Sequence, residues 1–321
     1  MSFPALSLQS PLHQRLGAWF SERFPPANAL LFFILYLTCV VIARQLQGQI
    51  TLSLADVVGA LVAWSWFLLL RIFDEHKDYQ IDLRNHPERI LQSGLITLGH
   101  LRLLGAIAII SQLLWSLYLD QWQPLAATLA WAMMFAWTCL MGKEFFCGAW
   151  LEKHLTLYAF SHMLVMPLIV WWLANLGAPG LSLSASIGWL MALAFVSGFA
   201  FEITRKSKGA EEERDSVDSY SRIFGARGAV IVILLLALTM LAIQILLVWQ
   251  LAGALPVWAL AILLLALGLP LLTLKRYWRQ ATERARKHNE AAIALLMLIG
   301  YAVTIAVALS STEVALTGWL S

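Results

Sequence analysis

Four carboxylates lie close together where a strongly apolar stretch of the sequence ends, at Asp74, Glu75, Asp78 and Asp82. On a helix the three aspartates are spaced i, i+4 and i+8, so their side chains project from one face. Like charges at this spacing repel one another. Removing each of them from water near a bilayer also costs on the order of several kcal/mol. Mg²⁺, held by one or two carboxylates and by substrate phosphates, commonly offsets such a cost. The spacing therefore indicates a magnesium site at these four residues, with a solvated acidic helix end as the alternative.

The composition is that of a membrane protein and not of a soluble domain. Of the 321 residues 60% are hydrophobic and 13% are charged, and the mean hydropathy is +0.74. Three scattered cysteines, Cys39, Cys139 and Cys147, predict neither a disulfide framework nor a zinc site. Nothing in the composition points to a nucleic-acid partner. The sequence predicts an all-α polytopic membrane protein.

Windows of about 20 apolar residues mark the segments that are long enough to cross the hydrocarbon core. Nine such windows lie at 27–43, 53–73, 101–119, 124–141, 155–175, 185–203, 228–250, 254–274 and 291–310. We therefore expect about nine transmembrane helices. They form one integral membrane domain over 27–321, preceded by an N-terminal segment at 1–26.

The basic residues predict how the chain is oriented. Of the 22 lysines and arginines, all but Arg44 fall on the same side of the nine predicted spans. Positively charged connections stay in the cytoplasm, so this bias predicts a cytoplasmic N-terminus, a C-terminus outside, and a multi-pass protein of the cell inner membrane. The acidic cluster would then face the cytoplasm. A basic stretch at 275–290 is expected to contact anionic membrane lipid and to fix the topology.

Two long charged connections follow the second and the sixth predicted spans, at about 74–100 and 204–227. Four helices separate them, which suggests a duplicated four-helix unit. If the two units pack with pseudosymmetry, the two connections face each other, and we expect them to share one site.

The first connection continues from Asp82 through Asn85-His86-Pro87-Glu88-Arg89 to Ser93-Gly94. Some twenty residues here closely resemble, in register, the first motif of the UbiA superfamily of intramembrane prenyltransferases. That motif is an N-D-x-x-D-x-x-x-D helix end running into N-x-P-x-R-P-x-x-S-G. The family's opening Asn-Asp stands here as Asp74-Glu75, which keeps oxygen ligands. The resemblance implies a UbiA-like helical bundle.

The second motif of that family, D-x-x-x-D followed by T-L-x-V-x-x-G, is altered in this sequence. Its tail is recognisable at Ser219–Gly225, but the acids allow two alignments. In one, Glu202 and Lys206 take the acid positions, and Lys206 or Arg205 could meet a phosphate oxygen directly; an intrahelical salt bridge explains this pair equally well. In the other, the acids lie in the run 211–218, which includes Asp215 and Asp218 and whose charge pattern favours a solvated loop.

The resemblance implies a Mg²⁺-dependent transfer of a prenyl group from an isoprenoid diphosphate donor to a membrane-accessible small-molecule acceptor, commonly an aromatic ring. It assigns catalytic roles to Asp78, Asp82 and Glu202. Candidate contacts to the donor's diphosphate are Arg84, Arg89, Lys143, Lys153, Arg205 and Lys206. For Lys143 and Lys153, a purely topogenic role next to a helix is the alternative. His162 lies inside an apolar run. We interpret it as a hydrogen-bonded core histidine, with an acceptor-side base as the less favoured alternative.

Two other functions compete with prenyl transfer. In a terpene cyclase of the same superfamily, the donor's own double bonds capture the cation. In a divalent-cation permease, the acidic cluster coordinates an ion in transit. Transporters more often bury ionisable groups near the middle of the membrane, whereas these carboxylates collect at one end of the predicted spans.

Overall fold

The computed structural model describes residues 6–26, 29–121, 125–214 and 218–319, and helices account for most of them. Two short strands, β1 (Ile50–Leu52) and β2 (Val314–Leu316), complete the fold. In chain order the helices are α1 (Leu12–Arg23), α2 (Ala29–Leu46), α3 (Leu54–Lys77), α4 (Tyr79–Asn85), α5 (Leu98–Leu119), α6 (Ala126–Gly142), α7 (Gly148–Leu151), α8 (Leu155–Met163), α9 (Val165–Gly177), α10 (Ala185–Arg205), α11 (Tyr220–Ala252), α12 (Val257–Arg279) and α13 (Glu283–Ser311).

The predicted all-α membrane fold is confirmed. Within the described ranges, eight segments are long and apolar enough to cross a membrane, with α8 and α9 together forming one of them. The remaining predicted span, at 124–141, corresponds to α6, which has 17 residues. At about 1.5 Å per residue it is about 26 Å long, slightly less than the hydrocarbon core.

Two spans, α11 and α13, begin about two helical turns earlier than hydropathy indicates. Helix α11 begins at Tyr220 because Gly225, with φ of 71°, lets the chain kink and adds a short polar helical segment before the apolar part. Helix α13 begins at Glu283, so its charged first turns extend beyond the apolar stretch. Hydropathy detects only the part of a helix that lies among lipid, which is why both polar ends were missed.

Serine and threonine side chains define where several helices begin. Each accepts a hydrogen bond from a backbone N–H of the first turn, which would otherwise lack a partner. The residues with this role are Thr97 for α5, Ser184 for α10, Ser219 for α11 and Thr282 for α13. Thr97 and Ser219 thus fix the ends of the two connections that frame the site described below.

The centre of the bundle is formed by α2, α9, α10, α11 and α13, which pack against one another. Buried polar groups pair between α3, α5 and α6: Trp131 Nε1 donates to Gln112 Oε1 at 3.1 Å, and Gln112 Nε2 donates to Ser65 Oγ at 3.1 Å. Outer helices expose leucines, such as Leu265 on α12, to the surroundings. An apolar outer surface of this kind suits a lipid environment.

Arg44, the basic residue on the far side of the predicted topology, is neutralised within the fold. Its guanidinium contacts both carboxylate oxygens of Asp56, with Nη1–Oδ2 and Nη2–Oδ1 distances of 2.8 Å, and its Nε donates to the Gly177 carbonyl at 3.0 Å. Near this pair β1 and β2 form a parallel two-stranded sheet that ties the start of α3 to the C-terminal segment. Arg44 is therefore a structural residue at the end of the bundle opposite Asp78.

We expect Asp56→Ala to leave the Arg44 charge partly buried and unpaired, which costs about 3 kcal/mol of unfolding free energy. The melting temperature of the detergent-purified protein should fall by on the order of 5 °C, measured by tryptophan fluorescence. The control is Lys287→Ala, which breaks the exposed pair with Glu283. Equal, small shifts in the two variants would contradict the structural role of the Arg44–Asp56 pair.

Candidate functional site

The acidic helix end is built as one nearly continuous helix. Helix α3 ends at Lys77, and α4 follows directly after Asp78. The Asp78 N–H donates to the Asp74 carbonyl, and the Asp82 N–H donates to the Asp78 carbonyl, both at 2.8 Å. These bonds maintain the helical spacing of the three aspartates across the junction.

The carboxylates of Asp74 and Asp78 are only weakly paired with other side chains, so both are available to bind a cation. The Asp74 side chain is 56% exposed, and its ion-pair contact, with Arg71, is long at 4.0 Å. In the described part of the chain, the Asp78 carboxylate has neither an ion pair nor a side-chain hydrogen bond. Burial raises the pKa of Asp78 above its usual value, and the nearby Asp82 charge adds to this while Lys77 opposes it. Asp78 is therefore a carboxylate whose charged form gains from a nearby cation.

Glu75, the fourth predicted metal ligand, lies among arginines. Its side chain is fully buried, and Oε1 accepts from Arg23 Nε at 2.6 Å and from Arg71 Nη2 at 2.5 Å. Its other oxygen, Oε2, is buried without a hydrogen-bond partner. Two guanidinium groups thus already compensate its charge.

Asp82 is also held by two arginines. Its Oδ2 contacts Arg89 Nη1 at 2.6 Å and Arg23 Nη2 at 3.1 Å. Arg89 was predicted as a diphosphate contact, and in this structure it is an anchor of the acidic segment. Arg23 therefore bridges Asp82 and Glu75, and it belongs to α1, outside the motif.

Helix α1 fastens the whole first connection. Trp19 is completely buried against Leu91 and Ile96 of that connection, and Arg15 Nη1 donates to the Leu95 carbonyl at 2.8 Å. Sequence reasoning missed this role because α1 contributes isolated contacts that belong to no local motif. The signal available in the sequence was the occurrence of Arg15, Trp19 and Arg23 four residues apart on a short helix. This pattern by itself does not identify a partner.

The second predicted acid position, Glu202, forms ion pairs within its own helix end. Its carboxylate contacts Arg205 Nη2 at 2.7 Å and Lys206 Nζ at 2.9 Å. This is the geometry of the intrahelical salt bridge that the sequence left open. The same two cations lie at the exposed or half-exposed tip of α10, where they can exchange Glu202 for another anion.

Tyr158 of α8 brings the two connections together. Lys77 Nζ, from α3, donates to the Tyr158 hydroxyl at 2.8 Å and contacts Glu144 at 2.6 Å. Lys206 Nζ, from α10, lies 5.4 Å from the centre of the same ring. The expected meeting of the two connections is thus present, with Tyr158 between them. Lys77, Glu144 and Tyr158 were not predicted as site residues.

His162 lies under this ring as a hydrogen-bonded histidine. It stacks on Tyr158 with ring centroids 4.0 Å apart, and its Nδ1 is 2.8 Å from the Tyr158 carbonyl oxygen. The hydrogen bond agrees with the interpretation as a hydrogen-bonded histidine, although the side chain is only partly buried. In the sequence, Tyr158 and His162 are spaced i, i+4, which shows only that they share a helix face.

Glu212 and Glu213, in the described part of the run 211–218, are more tightly bonded than acids of a solvated loop. Glu212 contacts Arg286 of α13 at 2.8 Å, and Glu213 accepts hydrogen bonds from the Ser219 and Ser221 hydroxyls. Asp218 is exposed, and Asp215 lies outside the described residues. The described acids at 211–213 thus attach the second connection to α13 and to the start of α11.

The remaining predicted diphosphate contacts are less engaged. Arg84, Lys143 and Lys153 are exposed, and in the described ranges none of them forms an ion pair. The residue after Lys143, Glu144, is the one that reaches the site, through Lys77.

Asp74 and Asp78 offer two carboxylates of the kind that bind Mg²⁺. The described residues include no group of three or more His, Cys, Asp and Glu side chains arranged to hold a metal. Mg²⁺ is commonly bound through one or two carboxylates, with water and substrate phosphates at its other positions, so a pair such as Asp74 and Asp78 meets its needs. With Lys77 and Lys206 close by, the arrangement can attract a polyanion such as a diphosphate.

Comparisons with known proteins point to one family. The model of the UbiA prenyltransferase family matches residues 30–299. A solved structure of a digeranylgeranylglyceryl phosphate synthase is similar at a TM-score of 0.64 and 16% identity, covering 92% of this chain and 99% of that one. The apo structure of a UbiA homolog from Aeropyrum pernix K1 is similar at a TM-score of 0.61 and 14% identity, covering 83% and 94%. A search of curated protein sequences found no match.

The Glu212–Arg286 contact predicts a pH dependence of stability. Burial acts to raise the pKa of Glu212, but hydrogen bonds from Arg286 and from the Gly209 N–H outweigh it and hold that pKa below its usual value. A depressed carboxyl pKa contributes stability above the unfolded pKa, and this is lost as the pH falls through the folded pKa.

We expect Glu212→Gln to lower the melting temperature by on the order of 3 °C at pH 7. The difference from the unmodified protein should shrink below about pH 4.5. The control is Glu152→Gln, at an exposed acid that forms no ion pair among the described residues. A difference that stays constant down to about pH 3 would show that the charge of Glu212 is not what stabilises the connection.

Proposed function

The chain belongs to the UbiA prenyltransferase family, and from that premise we propose that it transfers a prenyl group from a polyprenyl diphosphate to a lipophilic acceptor, with Mg²⁺ as the cofactor. Family members use an isoprenoid diphosphate donor and a lipophilic acceptor. One observation carries the proposal: two available carboxylates, Asp74 and Asp78, lie beside Lys77 and Lys206, which converge on Tyr158 from the two connections.

In this proposal Asp74 and Asp78 hold the magnesium ion. When bound, the ion supplies Lewis-acid neutralisation of the charge that develops on the diphosphate. Asp82 and Glu75 keep the acidic segment in place through Arg23, Arg71 and Arg89. Asp82 therefore acts by positioning this segment, which refines the catalytic role that the motif assigns to it.

The cations at the ends of α3 and α10 bind the diphosphate itself. Lys206 and Arg205 exchange the Glu202 carboxylate for phosphate oxygens, and Lys77 does the same with Glu144. Such charge-assisted hydrogen bonds strengthen as negative charge accumulates on the leaving group. Direct contact by cations takes the place of the second acidic pair that the family motif provides.

Bond cleavage and bond formation follow from this binding. The C1–O bond of the donor breaks with both electrons passing to the diphosphate, which leaves an allylic cation. An electron pair of the acceptor, in the first instance from an aromatic ring, forms the new bond to C1. The acceptor then loses a proton to water or to the released diphosphate. The aromatic rings of Tyr158, Phe145 and His162 line this region and limit the access of water.

We propose that the site faces the cytoplasm, across the cell inner membrane from Arg44. The bias of basic residues supports this, because the one exception is neutralised by Asp56 at the opposite end of the bundle. The similarity to a digeranylgeranylglyceryl phosphate synthase supports a lipid-like acceptor as a second class to be assayed.

The central test is Asp78→Asn in the purified protein, assayed for Mg²⁺-dependent release of diphosphate from geranylgeranyl diphosphate with a panel of aromatic and lipid acceptors. We expect a loss of at least about 100-fold, because the variant cannot balance the metal charge. Glu313→Gln is the matched control, since it removes one exposed acid next to β2, at the end of the bundle opposite Asp78. Retained turnover in Asp78→Asn would contradict the proposal, and ring-forming products without any acceptor would replace it with a terpene cyclase.

A second prediction concerns the cation at the end of α10. Lys206→Met should raise the KM for the prenyl diphosphate by about tenfold, because one charge-assisted contact to the diphosphate is lost. Lys275→Met removes an exposed lysine at the end of α12 and should leave KM unchanged. Steady-state kinetics at saturating acceptor measures both. A Lys206→Met variant with an unchanged KM would place the diphosphate away from α10.

A further inference from the structure

A basic groove of about 350 Å³ lies between the end of α12 and the start of α13. Four of the side chains that line it can carry positive charge, and they come from both helices: Arg276 and Arg279 from α12, and Arg284 and His288 from α13. Gln280 and Thr282 complete the polar lining, to which no acid among the described residues contributes. The groove is separate from the acidic cluster of α3.

The arginines of this groove differ from the basic residues next to them. Arg286 is paired with Glu212 and Glu290, and Lys287 is paired with Glu283. By contrast, within the described ranges Arg276, Arg279 and Arg284 have no ion pair and no side-chain hydrogen bond. The neighbouring acids are thus taken up by the cations outside the groove, and the concave surface keeps an uncompensated positive charge.

The residues around the groove are of the kinds found where a membrane protein passes from lipid to water. Leu272, one turn before Arg276, has a 62% exposed side chain that faces outward among the apolar residues of α12. Trp278 is 40% exposed and carries Arg227 on its ring at 5.5 Å. Exposed Trp and Arg next to outward-facing leucines are typical of the headgroup region of a membrane. An anion bound here can therefore be attached to a lipid.

We propose that Arg276, Arg279, Arg284 and His288 form a binding site for a phosphate group, and that an anionic phospholipid headgroup supplies this group. Guanidinium groups bind phosphate oxygens in pairs, and three of them around one concavity suit a phosphodiester or phosphomonoester. This proposal is more specific than the general lipid contact expected of the basic stretch 275–290. It assigns binding to the few residues that line the groove, three of which lack an ion-pair partner among the described residues. It does not depend on the proposed prenyl transfer.

The test measures binding of acyl-labelled phosphatidylglycerol to the purified full-length protein in detergent, with acyl-labelled phosphatidylcholine and inorganic phosphate as comparison probes. The variant Arg276→Gln/Arg284→Gln removes one arginine from each wall of the groove. Its matched control, Lys275→Gln/Lys287→Gln, removes two charges from the same helices outside the groove. Melting temperatures verify folding; if the first variant is destabilised, Arg279→Gln/His288→Gln tests the same groove.

We expect the groove variant to weaken phosphatidylglycerol binding by at least about tenfold, and the control variant to weaken it by less than about threefold. Phosphatidylcholine should bind more weakly and be unaffected by either variant. Inorganic phosphate that competes with phosphatidylglycerol would support the phosphate site, and phosphate binding without any lipid preference would assign it to a soluble phosphate. Equal losses in the two variants, or no loss in either, would overturn the proposal, since binding would then reflect diffuse charge.

Discussion

Four carboxylates at the boundary of a membrane cannot remain together without positive charge, and this constraint organises one whole end of the molecule. Two of them, Glu75 and Asp82, are neutralised by Arg23, Arg71 and Arg89. The other two are not closely paired in the described structure: the ion-pair contact of Asp74 with Arg71 is long at 4.0 Å, and Asp78 forms no ion pair. The acidic cluster is thus divided into a pair that builds the segment and a pair that is available for binding.

This division explains why a helix outside the membrane spans belongs to the functional unit. Arg23 can reach both Glu75 and Asp82 because Trp19 anchors α1 among the apolar residues of the first connection. The apolar packing holds the guanidinium in place, and the guanidinium holds the acids. The residues before position 30, where the family match begins, therefore help to shape the motif that defines the family.

Hydropathy was sufficient to predict the helical membrane fold, since lipid imposes long apolar helices whatever their packing. The first motif was also visible, because its residues are neighbours in sequence. The contacts of the motif residues with distant side chains were not visible in the sequence. Arg23 and Glu75 are 52 residues apart, and Lys77 and Tyr158 are 81 residues apart. Contacts across such distances depend on how helices pack, and a helical periodicity gives only the face on which a residue lies. The altered second motif illustrates the same limit, since Lys206 was identified but Tyr158, whose ring lies 5.4 Å from its Nζ, was not.

The central claim is that Asp74 and Asp78 bind a diphosphate through magnesium. Calorimetric titration of geranylgeranyl diphosphate into the purified protein, with Mg²⁺ and then with excess EDTA, tests it most directly. The account predicts saturable binding that needs Mg²⁺ and that is lost in the double variant Asp74→Asn/Asp78→Asn. Equal binding in EDTA, or undiminished Mg²⁺-dependent binding in the double variant, would contradict it.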